Sequence, residues 1–212
     1  RAAETAMKLY RRGEGRTLVL MLLLGLAFTA WMEVYPFLAR QAPVPADVLV
    51  IEGWVGDDLL AQAAGWAESN GVTKIVATGG PIELGSYLAS FRTYAEMTKA
   101  RMEALGLGEK FELAAVPAEK VRRGRTRESA RALRAAGAAA GAFNVASEGP
   151  HARRSWRAFR DEFAGQAEVG CVALTPAEYD GTDWWRCSEG VRAVVSEAVA
   201  YGYDVLPGSG GE

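Results

Sequence analysis

The sequence has few of the residues from which metal and redox centres are built. Its 212 residues include one histidine and two cysteines, Cys171 and Cys187. The cysteines lack the CxxC or Cys/His spacing of a zinc or redox centre, and one histidine cannot supply a His-rich metal site. We therefore expect no structural metal. The cysteines are interpreted as small buried hydrophobic side chains, although an oxidising compartment would permit a disulfide between them.

An excess of positive charge is also missing. The sequence contains 24 Lys and Arg residues and 26 Asp and Glu residues, which gives a formal net charge of -2 at pH 7. A nucleic-acid-binding protein needs a basic surface to neutralise backbone phosphates. The composition therefore argues against nucleic acid as a partner, and any basic site must be local.

A long apolar run begins at Thr17. Residues 17–32 carry no charge, and apolar residues resume after Glu33 and continue to Arg40. At about 1.5 Å of rise per residue, this stretch is long enough to cross a bilayer as a helix. A cleaved signal peptide is the alternative, but the run does not end in an A-x-A site, which favours a retained anchor.

The charges that flank the run predict its orientation. Lys8, Arg11, Arg12 and Arg16 precede it, and the positive-inside rule places such residues in the cytoplasm. We therefore expect a single-pass protein of the inner membrane with a cytoplasmic segment at 1–16, an anchor at 17–39 and a linker at 40–46. The rest of the chain would then be periplasmic or extracellular.

Residues 47–206 alternate between apolar runs and helical apolar spacing, which is typical of βα units. The predicted strands lie at 47–53, 74–80, 111–117, 142–149 and 169–176. The pattern predicts a three-layer, Rossmann-like α/β sandwich with a mainly parallel five-stranded sheet. In the second connection the predicted helix includes Leu88 and Phe91, and the last helix is expected at about 185–205. A flexible tail follows at 207–212.

Ligands of such folds bind outside the carboxyl ends of the strands, so the residues there are the candidates for function. Glu52 and Gly53 end the first strand, and Glu52 is a candidate general base. The second strand ends in Thr78, Gly79 and Gly80, where paired glycines let backbone N–H groups approach a ligand. An ordinary turn is the alternative for this pair.

Two further candidate segments are rich in arginine. After the third strand, Arg125 precedes Thr126, the expected N-cap of a helix, and Glu128 in its first turn. Cations beside a helix N-terminus suggest an anion between them, although a solvated basic loop explains them equally well.

The second segment follows the fourth strand, where Ser147 precedes His151, Arg153 and Arg154. We expect the two arginines to bind an anion. We interpret His151 as a further anion contact when it is protonated, or as a catalytic acid or base, and a structural histidine is the alternative.

These motifs resemble the YdcF/SanA/ElyC-like envelope family over residues 46 to about 205. The resemblance is carried by Ala46-Asp47, Thr78-Gly79-Gly80, Thr126-x-Glu128-Ser129-Ala130 and Ser147-x-x-x-His151-x-Arg153-Arg154. The family commonly has Asn where this chain has Ser129. The resemblance implies a Rossmann-like fold, N-terminal membrane segments and a role in envelope or peptidoglycan precursor metabolism. It assigns no cofactor, and the cofactor stays unknown.

Two functions remain open from the sequence, beside a purely structural role as a membrane-tethered partner domain. The first is a membrane-anchored binding module for an anionic, phosphate-bearing small molecule such as a nucleotide, a nucleotide-sugar or a lipid-linked cell-wall precursor. The second is a hydrolase or transferase acting on such a compound, with His151 as the acid or base and an arginine opposite the developing charge. No nucleophile motif supports the enzyme.

Overall fold

The computed structural model describes residues 2–83 and 87–206, with side chains from Gly15 onward. The predicted tail at 207–212 lies outside the described residues. The chain divides into two compact units, Arg1–Val34 and Tyr35–Glu212.

The first unit belongs to one long helix, α1 (Ala2–Leu38), which has Pro36 in its last turn. Its stretch Gly15–Leu38 is long and apolar enough to cross a membrane. The expected apolar span is therefore a helix that begins two residues before the predicted boundary. The leucines from Leu18 to Leu26 are exposed, whereas Leu38 is buried.

The second unit is built on five strands, all parallel, in the order β3-β2-β1-β4-β5. The strands are β1 (Val48–Glu52), β2 (Lys74–Gly79), β3 (Glu112–Pro117), β4 (Gly141–Glu148) and β5 (Ala167–Leu174). The three central strands are buried almost throughout, which explains why they read as continuous apolar runs. The predicted parallel α/β sheet is confirmed.

Helices cover both faces of this sheet. They are α2 (Asp57–Ser69), α3 (Tyr94–Ala104), α4 (Arg125–Ala135), α5 (Ala152–Glu162) and α6 (Ser188–Val205). On one face, Leu60 of α2 and Met102 of α3 are buried in a common core with β1 and β2. On the other, Leu133 of α4 and Phe159 of α5 pack on Phe143 of β4.

Three predicted helix boundaries were wrong. Helix α3 begins only after Thr93, whose side chain forms a capping box with Glu96, so the predicted helical residues Leu88 and Phe91 precede the helix and are exposed. Thr126 is not the N-cap of α4. Gly124 holds that position with φ +66°, a left-handed conformation that favours glycine, and α6 begins at Ser188 rather than near 185.

The predicted linker is attached to the sheet. We call residues 39–46 the strap. Ala42 and Cys171 of β5 exchange two backbone hydrogen bonds of 2.9 Å in an antiparallel bridge. The buried amide of Asn144 accepts from the Val44 N–H and donates to its carbonyl, both at 2.8 Å. The strap is therefore part of the folded unit. Cys171 is buried, and its thiol and that of Cys187 are both free.

Candidate functional site at the switch point of the sheet

Strands β1 and β4 lie side by side at the centre of the sheet, and the chain continues from them to helices on opposite faces. Such a position is the topological switch point, outside which ligands of open α/β sheets bind. Glu52 is the last residue of β1, and Ser147 lies next to the end of β4. Two predicted site residues are therefore brought together at the switch point.

Glu52 is a buried carboxylate, only 3% exposed. Its Oε2 accepts hydrogen bonds from the hydroxyls of Ser147, at 2.5 Å, and of Ser155, at 2.6 Å. The Nε2 atom of His151 lies 3.6 Å from the same oxygen. His151 and Ser155 are one helical turn apart, so both face the end of β1. One carboxylate oxygen thus joins β1, β4 and α5.

His151 is held between two carboxylates. Its Nδ1 lies 2.9 Å from Oε1 of Glu197 on α6, while the buried Nε2 faces Glu52. The indole of Trp54, itself 41% exposed, meets the imidazole edge to face with ring centroids 5.0 Å apart. The His151 side chain is 13% exposed. Trp54 is therefore the most accessible part of this cluster.

Arg154 completes the contact between α5 and α6. Its Nε and Nη2 donate to the two oxygens of Glu197 at 2.8 and 3.0 Å, which is the paired geometry typical of a guanidinium and a carboxylate. Nη1 lies 3.9 Å from Asp204. The guanidinium predicted to grip an anion is thus already paired with Glu197.

The buried charges shift one another's protonation. Burial acts to lower the pKa of His151, but the charge of Glu52 and the hydrogen bond to Glu197 raise it to about 9, against the opposing charge of Arg154. Burial would raise the pKa of Glu52, and His151 and the two serines lower it to about 2. At neutral pH the cluster therefore holds two cations, His151 and Arg154, and two anions, Glu52 and Glu197.

The glycine-containing strand ends pack closely against α3. A Cβ on Gly53 would lie 2.6 Å from the carbonyl oxygen of Tyr94, and Gly79 has φ +154° with its Cβ position 2.8 Å from Cβ of Tyr94. Thr78 is buried, and its carbonyl accepts from the N–H of Gly53 at 2.6 Å. The Gly80 carbonyl accepts from Tyr94 at 2.9 Å. These packing contacts account for Gly53 and Gly79 without a ligand.

The arginine-rich segment after β3 lies apart from His151. Arg125 is exposed and lies 3.4 Å from Glu83, Thr126 is in the first turn of α4, and Glu128 is 3.6 Å from Arg131. A cleft of about 420 Å³ is lined by Glu83, Lys120, Val121, Arg122 and Arg125. It shares no residue with the His151 cluster.

Arg153 also points away from His151. Its Nε donates to the carbonyl of Phe37, and its guanidinium lies 3.9 Å from the centroid of the Phe37 ring. The adjacent arginines of the His-x-Arg-Arg motif therefore contact different parts of the chain.

Sequence reasoning missed three members of the cluster. Trp54 follows the end of β1 by two residues, and the rule that selected Glu52 also applies to it. Ser155 could have been found from its helical spacing to His151. Glu197 carries no such signal, because it is 46 residues from His151 and meets it only through the docking of α6.

Within the described residues, no group of three or more His, Cys, Asp and Glu side chains is placed to hold a metal ion. No protein-family model matches the chain, and no curated protein matches it significantly.

Proposed function

We propose that the chain is a membrane-anchored binding protein that recognises an anionic, phosphate-bearing small molecule at the carboxyl edge of its sheet. The observation that carries the proposal is the cluster at the switch point, where Glu52, Ser147 and His151 meet beneath the accessible indole of Trp54. A flat aromatic surface beside buried, oriented polar groups suits the base or sugar of such a ligand.

The anionic part of the ligand is better matched to the β3–α4 loop than to His151. The switch-point cluster is balanced in charge, whereas the cleft has three cations, Lys120, Arg122 and Arg125, against Glu83. The ends of β4 and β3 are three strand spacings apart, or about 14 Å. A ligand that contacts both places must be elongated, which favours a nucleotide-sugar over inorganic phosphate.

The protonation of His151 favours binding over acid–base catalysis. A general acid or base works best when its pKa lies near the working pH. The carboxylates around His151 raise its pKa to about 9, so at neutral pH it is mostly protonated. A cation held in this way positions neighbouring groups and is a poor proton acceptor.

A hydrolase or transferase acting on a phosphorylated envelope precursor is the second candidate. The observation that favours it is the buried pair of Glu52 and His151, since such pairs are common in active sites. If His151 transfers a proton, His151→Ala lowers turnover by about 10² to 10⁴. A binding protein shows no turnover with or without this substitution.

The cellular setting is proposed on two grounds. The resemblance to the YdcF/SanA/ElyC-like family supports a role in the cell envelope. The basic residues that precede the apolar stretch support a cytoplasmic N-terminus with the α/β unit in the periplasm or outside the cell. A reporter fused to the C-terminus should be active only on that side of the membrane, and activity in the cytoplasm would reverse the orientation.

Calorimetry of the full chain in a neutral detergent tests the ligand. The panel contains a uridine diphosphate sugar, uridine monophosphate and inorganic phosphate. We expect the nucleotide-sugar to bind most tightly, Trp54→Ala to weaken it about tenfold or more, and Arg122→Gln with Arg125→Gln to do the same and to reduce the salt dependence.

The matched control replaces two arginines outside the cleft, Arg186→Gln with Arg192→Gln, whose side chains are 74% and 75% exposed, close to the 77% of Arg125. This control should bind as the wild type does. The proposal fails if none of the three compounds binds, or if the Trp54 and the Arg122/Arg125 variants both bind as tightly as the control.

A further inference from the structure

Four arginines surround the point where the chain leaves its apolar stretch. Arg153, Arg157 and Arg160 follow one another along α5 at spacings of four and three residues, which places them on one side of the helix. Arg40 lies in the strap and meets the same side of α5 through Trp156. We call these four residues the arginine ridge.

Aromatic rings hold the ridge in place. Arg153 stacks on Phe37, and Arg157 lies 6.0 Å from the ring centroid of Tyr201, which itself packs on Phe37. Arg40 and Arg160 both lie over Trp156, at 4.3 and 4.5 Å from its ring centroid. Arginines fixed in this way lose little side-chain entropy when they bind a ligand.

The ridge carries an excess of positive charge. Among the residues that the structure describes, Asp161 is the only carboxylate in ion-pair contact with it, at 3.6 Å from Arg157 and 2.7 Å from Arg160. The ridge therefore has four positive side chains and one negative partner, whereas the cluster around His151 has equal numbers of positive and negative side chains.

The position of the arginine ridge indicates which kind of ligand its excess positive charge binds. Phe37 belongs to the stretch Gly15–Leu38 that is apolar enough to cross a membrane, and it contacts both Arg153 and Tyr201. A residue in the last turn of such a span lies close to the lipid headgroups, and so must the side chains that touch it.

We propose that the arginine ridge binds the headgroups of anionic phospholipids. Guanidinium groups match phosphate in shape and hydrogen bonding, and basic residues near a membrane surface attract acidic lipids. This inference rests on the membrane anchor of the proposed function and is independent of the ligand at the switch point. A free phosphate compound offers the same chemistry without the membrane surface, so the test must separate the two sources.

Thermal unfolding of the full chain in a neutral detergent provides the test. Phosphatidylglycerol added to the micelles should raise the melting temperature, and phosphatidylcholine should not. In the triple variant Arg153→Gln, Arg157→Gln, Arg160→Gln, we expect the lipid concentration for half the effect to rise about tenfold or more. Soluble glycerol phosphate should not reproduce the effect, and if it does so at equal concentration, the ridge is a free-phosphate site instead.

Two controls keep the result interpretable. Arg123→Gln, Arg186→Gln, Arg192→Gln removes the same charge elsewhere and should respond to lipid as the wild type does. If the triple ridge variant does not fold, Arg157→Gln with Arg160→Gln replaces it, because it keeps the contact of Arg153 with Phe37.

Extraction of membranes with alkaline carbonate separates the two proposals. Release of the chain would overturn the anchor and the ridge together. A retained chain that phosphatidylglycerol and phosphatidylcholine stabilise equally would overturn the ridge alone.

Discussion

Nδ1 of His151 lies 2.9 Å from Oε1 of Glu197, which joins the switch point of the sheet to the last helix of the chain. Arg154 binds the same carboxylate through two nitrogens. The docking of α6 therefore fixes the orientation of the imidazole. A substitution in α6 can therefore alter the candidate site even though α6 lies far along the chain from the strand ends that form it.

The first prediction concerns the pKa of His151. Glu197→Gln removes one of the two carboxylates that raise it, so we expect the value to fall from about 9 toward its ordinary 6.5. The sequence contains one histidine, so an NMR titration of the chain, purified without a histidine tag, reads this residue alone. Glu189→Gln on the exposed side of α6 is the control and should leave the pKa unchanged.

The second prediction is a pH window for stability. The folded pKa of His151 lies above its ordinary value, so its contribution is complete below pH 6.5 and is lost as the pH rises through 9. The folded pKa of Glu52 lies below its ordinary 4.5, so its contribution is complete above pH 4.5 and is lost as the pH falls through 2. Together they stabilise most between about pH 4.5 and 6.5.

Urea unfolding of the wild type and of His151→Gln between pH 5 and 10 measures the effect. The difference in unfolding free energy between the two proteins should shrink as the pH rises from 6.5 and should be smallest above pH 9. A difference that stays constant over the whole range would show that the charge of His151 does not stabilise the fold.

The third prediction separates a structural role of Arg154 from a ligand contact. Arg154→Ala leaves the carboxylate of Glu197, which is 17% exposed, without its paired guanidinium. We expect a loss of about 2 kcal/mol in the free energy of unfolding. Arg192→Ala, on a side chain 75% exposed, should change it by less than about 0.5 kcal/mol. Equal stability of the two variants would contradict the structural role.

The sheet was predictable because each buried strand of a parallel sheet is a short apolar run with a turn after it. Val48–Glu52 and Lys74–Gly79 both lie within their predicted limits. The helix starts were harder, since they depend on local capping. Thr126 has the residue type of an N-cap, but the left-handed Gly124 ends the preceding loop first.

The candidate site was half predictable for a similar reason. Glu52 and Ser147 lie at the ends of their strands and His151 follows one, and parallel strands bring such residues to one edge. The partner of each arginine could not be read from the sequence. Arg153 and Arg154 are adjacent, yet one contacts Phe37 and the other Glu197, because that choice depends on where Phe37 and α6 lie against α5.

The fourth prediction tests the strap. A Cβ on Gly170 would lie 1.9 Å from Oδ1 of Asn144 and 2.6 Å from the backbone nitrogen of Val44. Gly170→Ala should therefore break the contacts between Asn144 and the strap, with a loss of about 2 to 3 kcal/mol. Hydrogen exchange at the amides of Ala42 and Val44 should accelerate together.

Gly65→Ala is the matched control, because its added Cβ meets nothing within 4 Å inside α2. It should leave exchange in the strap unchanged and stabilise the protein by up to about 1 kcal/mol. Slow exchange at Ala42 in Gly170→Ala would contradict the role assigned to Asn144.

The strap also covers the outer edge of the sheet. β5 pairs with β4 on one side, and on its other side Ala42 bonds both backbone groups of Cys171 while the Gln41 side chain accepts from the N–H of Ala173. Without these partners β5 would be an exposed edge strand, and its unpaired backbone N–H and C=O groups could pair with a strand of another molecule. A fragment cut to begin after the strap would therefore lose the apolar stretch together with this cover, and we expect it to self-associate through β5.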